Sequence, residues 1–155
     1  MGGDVVELRL PMHVATRRWH ENAVSVERGP LVYALKVGGE TRTVVDTSGY
    51  GTFTEIRPTT PWNYGLEDIS KKALAADFKV ETLAVGSYPW TESAAPVIIR
   101  AKARRIPSWG VYNESAGPQP YSNIYQQQVG NGLEDVILIP YGCTRLRISE
   151  FPVIR

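Results

Sequence analysis

The stretch SVERGPLVYALKV, Ser25 to Val37, decides the fold. Leu31, Tyr33, Leu35 and Val37 share one parity while Val32, Ala34 and Lys36 take the other. That period of two is how side chains leave a β-strand, alternately to either face. A slip of one residue would turn Tyr33 and Leu35 to water, so the chain must enter its sheet in a fixed register. Gly29-Pro30 sets that register. Glycine permits a backbone angle that other residues avoid, and proline at the first position of a strand gives up an amide that the ladder there does not use. Glu27 and Arg28 then form the polar edge of the corner. A catalytic reading of Glu27 needs a partner group, and the sequence names none.

The same period recurs on both sides of this stretch. Upstream, Val6, Leu8, Leu10 and Met12 alternate with Val5, Glu7 and Arg9, a half-buried strand that Pro11 ends or confines to an edge. Downstream, Gly38-Gly39 supplies a turn from the strand into TRTVV, which predicts a hairpin. Phe78, Val80 and Thr82 alternate with Lys79 and Glu81, and Val97, Ile99, Ala101 and Ala103 alternate with a basic ladder of Arg100, Lys102 and Arg104, read as a solvated face. DVILIPY is a strand buried on both faces, Tyr141-Gly142 a tight turn, and a second strand follows with Leu146 and Ile148 inward and Arg145 and Arg147 outward. Only the segment from Leu66, with Ile69, Ala73 and Ala76 at spacings of three and four, shows helical spacing, which predicts a short helix or a pair of turns. Pro107 to Asn131, rich in Gly, Pro, Ser, Asn and Gln, reads as a long surface connection. The expectation is an all-β fold, an antiparallel β-sandwich of jelly-roll-like form with at most one short helix, spanning residues 1–155 as a single domain.

Composition removes several function classes. Seventeen Lys and Arg against sixteen Asp and Glu leave a net charge of +1, no field to attract nucleic acid or anionic lipid. One cysteine and two histidines cannot build a Cys-rich zinc site, and no run of spaced aspartates announces calcium, so no cofactor or metal site is expected. No apolar run reaches the roughly 20 residues of a membrane span, and MGGDVVELRL has neither the basic start nor the apolar run of a secretory signal. The expectation is a soluble chain with no membrane partner, of undetermined compartment. Met-Gly-Gly ahead of a charged strand reads as the start of a piece of something longer.

No residues are assigned to catalysis. GxSxG, HExxH and a phosphate-cradling glycine loop are all missing, and the acidic pairs Glu67-Asp68 and Glu134-Asp135 read as a helix start and a polar turn. Aromatic residues are more informative. Trp62, Tyr64, Trp90, Trp109, Tyr112, Tyr121 and Tyr125 fall in loops or strand ends, and sugar rings present apolar faces that stack on such side chains. Trp62, Asn63, Tyr64 and Trp109 are the candidate carbohydrate-binding residues, Asn63 supplying an amide that bonds hydroxyls in both directions. Against this stands packing, since Trp and Tyr also plug the ends of sandwiches or bury themselves against a neighbouring domain.

ELRLPM at 7–12, SVERGPLVYAL at 25–35, PWNYGL at 61–66 and ILIPYGCTRLRISEFP at 137–152 resemble, in this order, the C-terminal β-sandwich part of bacterial glycoside hydrolase family 127 proteins, the β-L-arabinofuranosidase-like group. The resemblance implies a parent enzyme whose helical (α/α) toroid carries the reaction, with a cysteine nucleophile in a zinc site of cysteines and a glutamate. It implies that this chain is a fragment of such a multidomain glycoside hydrolase, a non-catalytic accessory domain that packs on the toroid of the same parent chain and shapes substrate access. Arabinose-containing or other plant-type glycans are the ligands so implied. Cys143 stands alone, so the nucleophile is not carried over to it. The rival reading is an independent carbohydrate-binding module that uses surface aromatics.

Overall fold

A computed structural model describes residues 3–67 and 78–155. Thirteen strands follow in chain order: β1 (Val14–Arg18), β2 (Val24–Arg28), β3 (Leu31–Leu35), β4 (Gly39–Asp46), β5 (Gly51–Pro58), β6 (Tyr64–Glu67) and β7 (Phe78–Thr82). The remainder are β8 (Val97–Arg105), β9 (Val111–Tyr112), β10 (Ser115–Ala116), β11 (Glu134–Pro140), β12 (Glu150–Phe151) and β13 (Val153–Ile154). The described residues otherwise contain only short 3-10 turns, and the fold is all-β, a curled, mostly antiparallel and sandwich-like sheet. Among the described residues no helix is long and apolar enough to cross a membrane. The helix expected from Leu66 falls on residues 68–77, outside the described residues; Leu66 itself belongs to β6.

Gly29-Pro30 is the two-residue turn between β2 and β3, with Arg28 opposite Leu31. Gly29 has φ +58°, and the proline ring fixes a negative φ next to it, the sign pattern of a II′ hairpin turn. The glycine also makes room for Met12, whose Sδ would lie 2.7 Å from an added Cβ. From this hairpin the main sheet runs β1-β2-β3-β11-β8-β6-β13. On β8, β11 takes one edge, while β6 and β7 share the other in tandem. The C-terminal segment then curls the sheet closed. β12 pairs with β2 and, one proline later, β13 pairs in parallel with β6. Pro152 between them accepts a hydrogen bond from the Leu66 amide at 2.9 Å.

The concave face buries Val26, Tyr33, Leu35, Leu66, Ile99, Ala101, Leu138 and Phe151 as one core, in which Tyr33, Leu35, Ile99 and Ala101 keep the parity read from the sequence. On the opposite face of β8, Arg100 pairs with Glu81, Lys102 with Asp135 and Arg104 with Glu67, so the basic ladder is a neutralised outer surface. A smaller core of Ala95, Ile98, Ile139 and Cys143 lies behind β11, which is why DVILIPY is apolar on both faces.

Four expectations are corrected. Residues 4–12 have strand periodicity but pair with no strand among the described residues, and Val5 and Leu8 are 94% and 77% exposed. β3 does not form a hairpin with β4. Gly38 and Gly39 instead permit close approach: the Gly38 amide donates to Thr60 Oγ1 at 2.8 Å, and a Cβ there would lie 2.8 Å from Thr59 Oγ1. β4 pairs with β5 as a separate two-stranded arm. The chain after Tyr141–Cys143 forms strand only at Glu150, although Leu146 and Ile148 do pack inward. Pro107 to Asn131 is no loose connection, because Trp109, Ile124 and Val129 pack with Ile106 and Ile154 as a second core over one end of the sheet.

Candidate functional site

Trp62, Asn63, Tyr64 and Trp109 are brought together, in the wall between the main core and the 107–131 cover. Trp62 and Trp109 meet edge to face, ring centroids 5.2 Å apart at 75°. Trp109 is 4% exposed, and its indole N–H donates to the Gly117 carbonyl at 2.9 Å. Asn63 is fully committed: Nδ2 donates to the carbonyls of Ile106 and Trp109 at 2.9 and 3.0 Å, and Oδ1 accepts from Arg105 Nε at 3.0 Å. Tyr64 is buried, donates to Glu134 Oε2 at 2.6 Å and carries the Arg105 guanidinium 5.5 Å from its ring centroid. The polar side-chain atoms of Asn63, Tyr64 and Trp109 that would greet a sugar already have protein partners. Trp62 alone reaches open space, lining a cleft of about 270 Å³ with Val111, Glu114 and Ala116.

A larger cleft of about 570 Å³ adjoins that one and shares Ile56, Arg145 and Arg147 with it. Three elements build it. The base of the β4–β5 arm supplies Gly39, Thr41 and Ile56; the loop after β7 supplies Tyr88, Trp90, Thr91, Glu92 and Ser93; the turn after β11 leads in Thr144, Arg145 and Arg147. Tyr88 and Trp90 are 66% and 48% exposed. Their loop is nonetheless tied down. The Cys143 thiol donates to the Pro89 carbonyl at 3.3 Å, the Thr91 hydroxyl accepts the Ala94 amide at 3.2 Å, and the Trp90 ring lies against Gly142, where an added Cβ would come within 3.3 Å of Cε3. A side chain at Gly142 would crowd the indole there.

The guanidinium of Arg147 is pre-placed, with Nε donating to the Thr144 carbonyl at 3.0 Å and Cζ 4.9 Å from the Tyr141 ring centroid. Burial pushes the Cys143 thiol pKa up, so the cleft floor offers a thiol and not a thiolate nucleophile. Among the described residues no three His, Cys, Asp or Glu side chains gather as metal ligands. Glu27 is held on the outer face by Ser25 Oγ at 3.0 Å and Arg17 Nη2 at 3.4 Å, as a paired surface carboxylate.

The sequence flagged Trp90 as a loop aromatic without assigning it to the site, and read Arg145 and Arg147 only as outward. The exposed aromatic pair in Tyr88-Pro89-Trp90, a proline-held loop, was the available signal. No family model, curated protein or solved structure matches the chain. Three of the motifs singled out in the sequence, SVERGPLVYAL, PWNYGL and ILIPYGCTRLRISEFP, meet around the main core through β2, β3, β6, β11 and β12.

Proposed function

We propose that this chain is a non-catalytic accessory domain of a glycoside hydrolase similar to family 127, which packs on a helical catalytic domain of the same parent chain and shapes the approach of substrate. One observation carries this reading: residues 4–12 form a strand-patterned segment with no strand beside it among the described residues. Glu7 and Arg9 satisfy each other at 2.6 Å, while Val6, Leu8 and Leu10 of the other parity stand exposed. Burying such side chains gains roughly 1.5–3 kcal/mol each before the cost of association, enough to seat the segment on a partner. Amide hydrogen exchange tests it. Adding the separately produced helical domain should protect Val5 to Leu10 while leaving the buried amides of β8 unchanged; unaltered exchange at those residues would count against docking.

A second reading, an independent carbohydrate-binding module, is favoured by the larger cleft, where Tyr88 and Trp90 offer exposed ring faces beside Thr41, Thr91 and Ser93. Titration with an arabinose-containing oligosaccharide should quench tryptophan fluorescence, and Trp90→Ala should abolish the change. A spectrum that does not respond in the parent protein removes this reading.

A further inference from the structure

The larger cleft is unequal in charge. Arg145 and Arg147 both line it, and Glu92 is its single carboxylate among the described residues. Neither arginine makes an ion pair within the described residues, whereas Arg17, Arg57, Arg100 and Arg104 all do. Glu114, the acid of the adjoining cleft, is held by Arg57 at 3.5 Å. Leu146 and Ile148 pack into the core between and beside the two arginines, which fixes the backbone that presents them. Arg147 is oriented further by Thr144 and Tyr141, contacts that occupy its Nε and one face and leave its terminal nitrogens for a ligand.

We propose that this cleft binds an acidic sugar, a uronic acid residue within an oligosaccharide, with its carboxylate on Arg145 and Arg147 and its ring against Trp90. The inference rests on the sugar-binding reading of the cleft and adds the ligand's charge. The fork of a guanidinium matches a carboxylate with two parallel hydrogen bonds, which a neutral sugar cannot return. Glu92 decides between anions. Beside it a doubly charged phosphate is repelled, while a monoanion rich in hydroxyls finds an acceptor for its O–H groups there and at Thr41, Thr91 and Ser93. The chain as a whole is near neutral, so the attraction is local to this cleft and not a general affinity for polyanions.

The test is calorimetric titration of the full chain with trigalacturonate, with a neutral arabinose trisaccharide and with inorganic phosphate, at low and at high salt. Trigalacturonate should bind at least about tenfold more tightly than the neutral trisaccharide, and the advantage should shrink with salt. Arg145→Gln should bring its affinity down to that of the neutral sugar. Arg145 is exposed and its side chain makes no hydrogen bond within the described residues, so the variant keeps the fold, which an unchanged melting curve verifies. Equal affinity for both trisaccharides would overturn the charge preference while the sugar reading stands. Binding of neither would remove both, and phosphate binding as tightly as trigalacturonate would overturn the sugar as the recognised group.

Discussion

Tyr64 is a buried phenol between an acid and a base. Loss of solvent is the largest force on it, the hydrogen bond to Glu134 the next, and together they push its pKa up to about 12 against the smaller pull of Arg105. The unfolded chain releases this proton near pH 10. From about pH 10 to 12 the unfolded state therefore holds fewer protons than the folded one, and stability falls as pH rises; below that window the contribution is intact. Urea melts at pH 8 and pH 11 should lose roughly 1 kcal/mol less in Tyr64→Phe than in the parent protein; an equal loss would mean that Tyr64 titrates normally. That Asn63 and Tyr64 stand beside Trp62 was plain from the sequence, because the three are contiguous. Their interior place was not, since Asn63 is claimed by Ile106 and Trp109, and Tyr64 by Glu134, 70 residues away. Local pattern cannot say which polar atoms a distant strand will occupy.

Among the elements, β6 shows what closes the sheet. A methyl group on Gly65 would lie 2.9 Å from the Pro152 carbonyl oxygen and 2.9 Å from Ile154 Cδ1. The carbonyl is backbone of the closing segment and has little freedom to move, so Gly65→Ala should cost about 1–3 kcal/mol, read as a lower urea midpoint. An unchanged midpoint would contradict the parallel pairing of β13 with β6. β7 and β8 were legible residue by residue, because each buries one parity and the alternation survives in the sequence, and β11 was legible as an unbroken apolar run because cores lie on both its faces. β4 was legible as a strand, but not its partner: two glycines next to each other look the same whether the chain turns or another segment passes close by. The segment 4–12 misled for the opposite reason, since its alternation is real but it pairs with no strand among the described residues.

As a whole molecule, the closed sheet presents two distinct surfaces: an apolar N-terminal segment, and a cleft of aromatic rings and guanidinium groups beside the β4–β5 arm, neither the segment nor the guanidinium groups being paired among the described residues. The first suits a protein neighbour and the second a polar ligand. The cleft was the least legible feature, because it needs Thr41, Trp90 and Arg145, drawn together from three separate parts of the chain. The docking claim is tested most directly by calorimetric titration of this chain into the separately produced helical domain, once unaltered and once as Val6→Lys/Leu8→Lys. Binding at about 1 μM or tighter, weakened at least about tenfold by the two lysines, is the predicted result. No heat from the unaltered chain, or equal affinity for both forms, would contradict it.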